Sequence, residues 1–324
     1  MNFVSKVNKL ATTGTPFLFI TDYDLQMPEV FPLDELPEGI CFQTPAYPLK
    51  GTYPVFEKDF YFNFFPPEFA IYCSAFDAVQ KEIRKGNTYL INLTFRSLLE
   101  TSLNLRDIFL LSNAKYKLLL DHHFVVFSPE TFVEIKDGVI SSCPMKGTID
   151  ASIPFADEIL LGDVKETAEH NTIVDLIRND LAMISEDVFV EKFRYLDLLQ
   201  THKGDLYQLS SRICGTLPKN YKTQLGEILL KILPAGSITG APKKKTVEII
   251  RNVENYQRGF YTGIFGVFDG ENLDSAVMIR FIENENGQLW FKSGGGITSM
   301  SVVEKEYEEL IQKIYVPISR NNQG

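Results

Sequence analysis

The stretch PMKGT, residues 144–148, decides how the rest of this chain is interpreted. Its lysine, Lys146, follows a proline and a short apolar strand pattern, VISSC at residues 139–143. Gly147 comes next, and because glycine lacks a side chain, the backbone can come close to whatever the lysine faces. Most lysines are solvated surface charges, so the stretch alone does not establish a reactive group. The rest of the sequence has to decide between the two interpretations.

Two segments predict helices that carry paired glutamates. KETAEHNTIVDLIRNDL has apolar residues at helical spacing, and its Glu166 and Glu169 are three residues apart, so they share one helix face. VEKEYEELIQK, near the end of the chain, repeats that spacing with Glu306 and Glu309. A solvated charged face is the ordinary explanation for one such pair. Two pairs in matched contexts indicate a shared ligand instead.

Two further segments of the sequence are rich in glycine. LPAGSITGAPK, residues 233–243, combines turn residues with Pro242, which can occupy the first turn of a following helix. SGGGITS, residues 293–299, places three successive glycines at the end of the strand pattern LWFK. Tight turns would explain any one of these glycines. Tight turns explain the whole set less well.

Composition restricts the class of protein. The chain has 324 residues, of which 44% are hydrophobic and 23% charged, as in ordinary globular proteins. A formal net charge of -10 argues against nucleic-acid binding. No run approaches the roughly 18 apolar residues of a membrane span, and the first residues lack a signal-peptide pattern. Four cysteines without a CxxC pair favour free thiols, so we expect a cytoplasmic protein.

Strand and helix patterns are segregated along the chain, which favours an α+β fold. FVEI-KDG-VISSC predicts a hairpin that turns at Asp137-Gly138. GIFGVF, SAVMIRFI and QLWFK predict an antiparallel meander. YLINLTF predicts a further strand, and we expect helices near residues 76–86, 164–184, 223–232, 243–252 and 303–314.

The four motif segments together resemble the chorismate-utilising enzymes, from about residue 76 to the C-terminus. That family includes anthranilate synthase component I, isochorismate and salicylate synthases, and aminodeoxychorismate synthase component I. The resemblance implies a single chorismate-binding domain over residues 1–324, with two large, mostly antiparallel sheets packed together and helices outside. Residues 1–75 match the family pattern poorly and are expected to be a shortened, divergent part of that domain. The tryptophan site of many relatives lies largely there and is not carried over.

The residue at position 146 separates branches of this family. Most members have alanine there, whereas the aminodeoxychorismate synthase component I branch has lysine, as this chain does. The resemblance therefore implies that Lys146 forms a covalent intermediate with the substrate. Glu130, in SPETF, matches a family glutamate that looks like the general acid and base. A glutamate facing water at a strand start is the alternative.

The resemblance also implies an Mg²⁺ site. By motif position, Glu169 and Glu309 bind the metal, and Glu166 and Glu306 bind it directly or through water. Mg²⁺ prefers oxygen ligands and keeps several waters, which suits such carboxylates. The alternative for Glu309 is an ordinary i,i+4 ion pair with Lys313.

Chorismate has two carboxylates, so its site needs cations and backbone donors as well. Arg280 matches the family's substrate-binding arginine, which can hold a carboxylate with two hydrogen bonds. The remaining positions that match substrate-binding residues are Gly147, Thr148, Thr239, Gly294, Gly295, Gly296 and Lys313.

Two residues depart from the family pattern, and two others lie close to predicted site residues without an expected role in the chemistry. Leu90 stands where relatives have glutamine, or lysine in those that add water, so water activation is not expected. Gln208 stands at a family histidine, so any role of that histidine in handling the leaving hydroxyl falls to Glu130. We expect His170, beside Glu169, to be structural, because adjacent helical residues point about 100° apart. Cys143 is expected to be a packing residue.

The activity implied is conversion of chorismate and ammonia to 4-amino-4-deoxychorismate, in 4-aminobenzoate and folate biosynthesis. Ammonia would come from a separate glutamine amidotransferase subunit, because this chain shows no glutaminase cysteine motif. Two alternatives remain open. One is anthranilate synthase component I, which would have alanine at position 146. The other is a non-catalytic homologue that binds only chorismate or the glutaminase.

Overall fold

Two antiparallel β-sheets with helices on their outer sides make up the computed structural model, which describes residues 2–49, 60–201 and 204–317. The helices are α1 (Phe3–Thr12), α2 (Phe69–Arg84), α3 (Leu105–Leu111), α4 (Ala156–Gly162), α5 (Val164–Ala182), α6 (Leu225–Lys231), α7 (Lys243–Val253) and α8 (Val303–Gln312). The strands are β1 (Phe17–Thr21), β2 (Glu29–Pro32), β3 (Ile40–Gln43), β4 (Phe62–Phe65), β5 (Leu90–Thr101), β6 (Tyr116–Leu120), β7 (Phe124–Ser128), β8 (Thr131–Lys136), β9 (Val139–Ser142), β10 (Met145–Asp150), β11 (Glu186–Thr201), β12 (Gly204–Thr216), β13 (Gly240–Ala241), β14 (Ile264–Phe268), β15 (Leu273–Val277), β16 (Phe281–Glu285) and β17 (Gln288–Ile297).

Each sheet joins strands that are distant in sequence. Within the described ranges, the first sheet has the order β10-β12-β9-β8-β15-β14-β1-β2, with β11 paired to β12 outside that path. The second has the order β13-β5-β17-β16-β7-β6-β3, with β4 paired to β5. The first 75 residues contribute β1 and β2 to one sheet and β3 and β4 to the other. The assignment of residues 1–324 to a single domain stays a prediction.

Alternation of side chains along β1 explains the layers. Leu18 and Ile20 point into the core between the sheets, where they join Phe265 of β14 and Phe281 of β16. Phe17 and Phe19 point to the opposite face of the strand and belong to the core beneath the helices. All five residues of β1 are buried, so both faces of this strand are covered. Burying each large apolar side chain contributes about 1.5–3 kcal/mol.

The α+β fold class is confirmed, and so are several local predictions. Helices occur in all five predicted regions, although α2 begins earlier, at Phe69. The β8–β9 hairpin turns at Asp137 and Gly138, which both have positive φ, as a type I′ turn requires. Helices α1, α3 and α4 were not predicted. Among the described residues, no helix is both long and apolar enough to span a membrane.

The predicted meander is wrong at one step. SAVMIRFI is not one strand: β15 pairs with β14 and β8 in the first sheet, whereas β16 pairs with β17 and β7 in the second. The chain passes between the sheets over residues 278–280, and Arg280 has a left-handed backbone with φ of 53°. Arg280 is therefore at the crossover between the sheets and not within a strand, as the sequence suggested.

Candidate active site

A cleft of about 530 Å³ lies where β10, α5, the sheet crossover, β17 and α8 meet. Most of the site residues predicted from the sequence line it. They are Glu130, Lys146, Gly147, Thr148, Glu166, Glu169, Arg280, Gly294, Gly295, Gly296, Glu309 and Lys313. Thr239 and Glu306 do not line the cleft and are buried beside it. The fold thus brings together segments that are up to 183 residues apart, from Glu130 to Lys313.

Lys146 is the second residue of β10, a strand that the sequence did not predict. It pairs with Leu209 of β12, and the register then shifts before Thr148, so Gly147 forms a bulge. The Lys146 side chain is 23% exposed, and its Nζ lies 3.8 Å from Oε2 of Glu169. The amine is therefore directed into the cleft and held near a carboxylate.

Gly147 permits a close approach between β10 and the helices behind it. Its φ is +66°, a conformation that residues with a side chain rarely adopt. A Cβ atom there would lie 2.9 Å from Cδ1 of Leu160 and 3.1 Å from Oε2 of Glu166. The glycine next to the lysine is thus explained by backbone conformation and by the proximity of Glu166.

The paired glutamates of α5 and α8 approach the glycine-rich part of β17. Glu169 and Glu306 are buried. A Cβ on Gly295 would lie 3.5 Å from Oε1 of Glu309 and 3.8 Å from Oε2 of Glu306. A Cβ on Gly296 would lie 3.7 Å from Oε2 of Glu169, so the carboxylates of both helices lie within van der Waals reach of this part of β17.

These carboxylates fit a hard divalent cation in donor chemistry. In the described part of the chain, no group of three or more histidine, cysteine, aspartate and glutamate side chains forms a ready ligand set. Mg²⁺ commonly takes only one or two carboxylates and keeps water or substrate as its other ligands. Glu169 and Glu309, one from each helix, could supply those two.

The three glycines are strand residues, which corrects the prediction that they follow a strand in a loop. Gly294, Gly295 and Gly296 pair with Thr94, Leu93 and Asn92 of β5. The other neighbour of this strand, β16, pairs only as far as Lys292. Beyond Lys292, the edge of β17 that faces away from β5 is therefore open toward the cleft. At this edge the carbonyl of Gly294 accepts a hydrogen bond from Lys313 Nζ at 2.8 Å.

Glu130 lies between β7 and β8, half-buried in the cleft wall. Ser237 Oγ donates a hydrogen bond to its Oε1 at 2.5 Å. Burial raises the pKa of Glu130, although the bond from Ser237 and the charges of Lys146, Lys313 and Arg280 oppose that rise. A carboxyl with a raised pKa, next to a lysine, can act as a proton donor.

Two further cations face the same space. Lys313 Nζ lies 2.6 Å from Oε1 of Glu309, the i,i+4 pair considered above. Burial lowers the pKa of Lys313, with Glu309 opposing and the charges of Arg280 and Lys146 adding to the shift. The Arg280 guanidinium lies 5.3 Å from the ring centre of Tyr315. Cations are thus concentrated around a cleft suited to a ligand with more than one carboxylate.

His170 and Cys143 have the surroundings of structural residues. His170 is fully buried, and its Nε2 lies 2.7 Å from Ser211 Oγ. Burial, with the charges of Arg194 and Lys146, lowers the pKa of His170 to about 4. Burial raises the pKa of Cys143 to about 11, which is the opposite of an activated thiol.

The two positions that depart from the family pattern differ in exposure to the cleft. Gln208, opposite Thr148 on β12, lines it. Leu90 is buried, and its Cδ1 would lie 3.1 Å from a Cβ on Gly296. An apolar side chain thus packs next to the glycine strand.

Some cleft residues were missed by sequence reasoning: Asn92, Ser237, Tyr261, Ile279, Lys292 and Gln312. Ser237 stood within the glycine-rich segment already singled out, so its motif was a usable signal. Lys292 had no such signal. It belongs to the apolar strand pattern LWFK and is buried there against Glu283, at 2.6 Å.

Comparison with known proteins identifies relatives over most of the chain. A family model described as chorismate binding enzyme matches residues 57–319. An uncharacterized PabA-like protein of Pasteurella multocida is 48% identical over 318 residues, covering 98% of each chain. Aminodeoxychorismate synthase component 1 of Bacillus subtilis is 30% identical over 259 residues, covering 75% of this chain and 54% of that protein. Anthranilate synthase component 1 of Acetivibrio thermocellus is 31% identical over 258 residues, covering 75% and 51%. The chain thus spans about half the length of these two synthases.

Solved structures share the fold. Anthranilate synthase component I from Streptococcus pneumoniae superposes with a TM-score of 0.66 at 28% identity, covering 78% of this chain and 58% of that one. The menaquinone-specific isochorismate synthase of Escherichia coli has a TM-score of 0.72 at 16% identity, covering 96% and 79%. At that identity, the second likeness concerns the fold alone.

Proposed function

The chain belongs to the chorismate-binding enzyme family, and from that premise we propose that it converts chorismate and ammonia to 4-amino-4-deoxychorismate. One observation carries the proposal. Lys146 directs its amine into the cleft, 3.8 Å from Glu169, at a position where the motif of other branches has alanine. A lysine there supplies a nucleophile that alanine cannot.

The proposed chemistry uses Lys146 and Glu130 in two displacements. The neutral amine of Lys146 forms a bond to ring carbon 2, the two ring double bonds shift, and the bond from carbon 4 to its hydroxyl breaks. Glu130 gives the departing hydroxyl a proton, so that it leaves as water. Ammonia then forms a bond to carbon 4, the double bonds shift back, and the bond between carbon 2 and Lys146 breaks.

Binding would depend on charge complementarity within the cleft. Arg280 and Lys313 would hold substrate carboxylates, and the open edge of β17 at Gly294 and Gly296 would offer backbone groups. Mg²⁺ bound by Glu169 and Glu309, with Glu166 and Glu306 beside it, would neutralise the ring carboxylate of the substrate. These roles follow from the family resemblance and from the shared location of the residues.

Ammonia would be supplied by a glutamine amidotransferase subunit in the cytoplasm. The four cysteines of the chain have no glycine-flanked nucleophile motif. The thiols of Cys143 and Cys214 have pKa values raised by burial, so neither resembles an activated nucleophile.

Anthranilate synthesis is the second candidate, since synthases of that name are among the relatives. Lys146 argues against it, because the resemblance expects alanine in that branch. A non-catalytic homologue is disfavoured by the convergence of Lys146, Glu130 and the carboxylates on one cleft.

Trapping the covalent intermediate tests the proposal. Quenched turnover mixtures of chain, chorismate, Mg²⁺ and ammonium should contain protein with an added substrate mass, and peptide mapping should place it on Lys146. Lys146→Ala should lose both the adduct and the aminodeoxychorismate product. Lys136→Ala, at an exposed lysine of β8, is the matched control and should lose neither. Full activity of Lys146→Ala would overturn the nucleophile assignment.

A further inference from the structure

Arg258 is a buried arginine that lies behind the cleft, outside the machinery described above. It is 3% exposed. Its Nε donates to Oε2 of Glu254 at 2.9 Å and its Nη2 to Oε1 at 2.7 Å, so the pair is bidentate. Glu254 also accepts hydrogen bonds from the backbone and the hydroxyl of Thr94, at 2.9 and 2.8 Å. The charge on each partner is therefore well compensated.

The same guanidinium joins two separate elements of the cleft wall. Arg258 Nη2 donates to the carbonyl of Asn92 in β5 at 2.6 Å, and Nη1 donates to the carbonyl of Ile238 at 2.9 Å. Asn92 strengthens this connection, because its Nδ2 donates to Ile238 at 3.0 Å and its backbone N–H to Thr239 at 3.0 Å. Arg258 thus fastens the loop of residues 236–239, in which Gly236–Ile238 form one 3₁₀ turn, to β5.

That loop holds the partner of Glu130. Ser237 immediately precedes Ile238, and its hydroxyl donates to Oε1 of Glu130. A shift of the loop would move Ser237 away from the carboxyl. Glu130 and Ser237 both line the cleft, whereas Arg258 does not.

We propose that Arg258 is a positioning residue for the reaction: by holding Ile238 and Asn92 together, it keeps Ser237 against Glu130. The inference rests on the proposed function, since it takes Glu130 as the proton donor. It goes beyond that function by assigning the geometry of the acid to an arginine that does not contact the substrate cleft.

A lysine could not replace Arg258 in this role. The planar guanidinium reaches Glu254, Asn92 and Ile238 at once, whereas an ammonium is a single point of charge on a flexible stem. Arg258→Lys keeps a positive charge near Glu254, which the Thr94 donors also stabilise. The substitution should therefore loosen the loop without leaving an uncompensated buried carboxylate.

The pH dependence of turnover separates positioning from a merely structural role. Glu130 is faced by Lys146 from β10, Lys313 after α8, Arg280 at the crossover and Tyr261 before β14. The bond from Ser237 lowers the pKa of Glu130, so losing it should raise that pKa. If the protonated carboxyl is the active form, Ser237→Ala moves the descending limb of the kcat profile to higher pH. Arg258→Lys should move the same limb in the same direction.

A double-mutant cycle tests the proposal. With chorismate, Mg²⁺ and ammonium, Arg258→Lys should lower kcat about tenfold or more and change KM much less, because a misplaced group costs rate. Combined with Ser237→Ala, it should lower kcat no further than the larger single effect. Arg251→Lys, at an exposed arginine paired with Asp24, is the matched control and should leave kcat and the limb unchanged.

Hydrogen exchange provides a readout that needs no turnover. Amides of residues 236–240 should exchange faster in Arg258→Lys than in wild type or Arg251→Lys. Three results would overturn the positioning role. They are unchanged exchange of these amides in Arg258→Lys, effects of Arg258→Lys and Ser237→Ala on kcat that multiply in the double mutant, and a descending limb that Arg258→Lys leaves at the wild-type pH. If Arg258→Lys does not fold, Glu254→Gln should give the same pattern by loosening the guanidinium, and a normal pH limb in that variant would also overturn it. Failure of the proposed function would instead appear as wild-type protein that makes no aminodeoxychorismate.

Discussion

Glu130 lies among three cations, and burial still raises its pKa above the usual range for a glutamate. The net effect keeps the carboxyl protonated to higher pH than an exposed glutamate, which suits a proton donor. A carboxylate surrounded by Lys146, Lys313 and Arg280 would otherwise be expected to ionise readily. Burial in the cleft thus affects the pKa of Glu130 more than the three neighbouring cations do.

Glu130→Gln should remove the proton donor and keep the shape of the side chain. We expect kcat to fall by about 10²–10⁴-fold, the usual contribution of general acid catalysis. The descending limb of the pH profile should also disappear, because no group at this position then titrates. Glu134→Gln, on β8 and partly exposed, is the control. If Glu130→Gln kept the wild-type kcat and the descending limb of its pH profile, the role of Glu130 as the proton donor would be contradicted.

Individual residues were predictable where a motif carried them. Lys146 and Glu130 stand in PMKGT and SPETF, and the fold places both in one cleft. Asn92 was not predicted, because an asparagine in the strand pattern YLINLTF resembles any other polar strand residue. Its role depends on a loop about 146 residues away, at Ile238, which only the tertiary structure reveals.

At the scale of secondary-structure elements, the bulge in β10 determines how close α5 can come. Gly147 has a positive φ, and a Cβ there would lie 3.1 Å from Oε2 of Glu166. Gly296 of β17 has a related role, since a Cβ there would lie 3.1 Å from Cδ1 of Leu90 and 3.4 Å from Nζ of Lys146. The backbones of both strands are therefore fitted to side chains that approach them closely.

Gly147→Ala should destabilise the protein and impair the site. The left-handed backbone alone costs an alanine about 1–2 kcal/mol, and the contact with Leu160 adds to that. Gly138→Ala is a matched control, because Gly138 has φ of +77° and nothing within 4 Å of an added Cβ. Chemical denaturation should show a larger loss for Gly147→Ala, and only that variant should lose turnover. Equal losses in the two variants would contradict the steric account.

Glu169→Gln and Glu309→Gln should each weaken Mg²⁺ binding, since each would lose a charged ligand of the proposed shared cation. We expect at least a roughly tenfold loss of affinity, the scale seen even when residues behind a metal ligand are changed. Titration calorimetry with Mg²⁺ measures this without turnover. Glu308→Gln, exposed on the same helix as Glu309, should bind as wild type does. The metal site would be contradicted if added Mg²⁺ had no effect on wild-type turnover and neither Glu169→Gln nor Glu309→Gln lowered activity.

Local patterns predicted several of the helices and strands but not how the strands are shared between sheets. The hairpin of β8 and β9 followed from its Asp-Gly turn. The division of SAVMIRFI into β15 and β16 did not, because an unbroken apolar run carries no mark of the point where a chain changes sheets. The loop predicted at Gly294–Gly296 failed for a related reason. Glycine normally signals a strand end, but here Gly294 lets the paired strand β5 come close, since a Cβ would lie 2.8 Å from Cα of Thr94.

At the scale of the whole molecule, segregation of strands and helices predicted the α+β class. The two-sheet arrangement followed from the family resemblance, since the pairing of β1 with β14 joins residues nearly 250 positions apart. The first 75 residues were the least predictable part, because they matched the family pattern poorly. They nevertheless supply strands to both sheets.

The isolated chain should use ammonium but not glutamine. Glutamine hydrolysis of the expected kind needs a cysteine nucleophile activated by a histidine, and the sequence has no such motif. At a fixed, sub-saturating ammonium concentration and below the descending limb assigned to Glu130, turnover should rise with pH, as more of the ammonium becomes unprotonated ammonia. Adding a purified glutaminase subunit should confer glutamine dependence. Glutamine-driven turnover by the single chain would contradict the two-subunit proposal.

The identity of the product tests the central claim most directly. Purified chain should be incubated with chorismate, Mg²⁺ and an ammonium salt, and the product should be identified by chromatography and mass spectrometry against authentic standards. We predict that 4-amino-4-deoxychorismate accumulates and that pyruvate is not released. Formation of anthranilate with pyruvate, or chorismate left unchanged, would contradict the account.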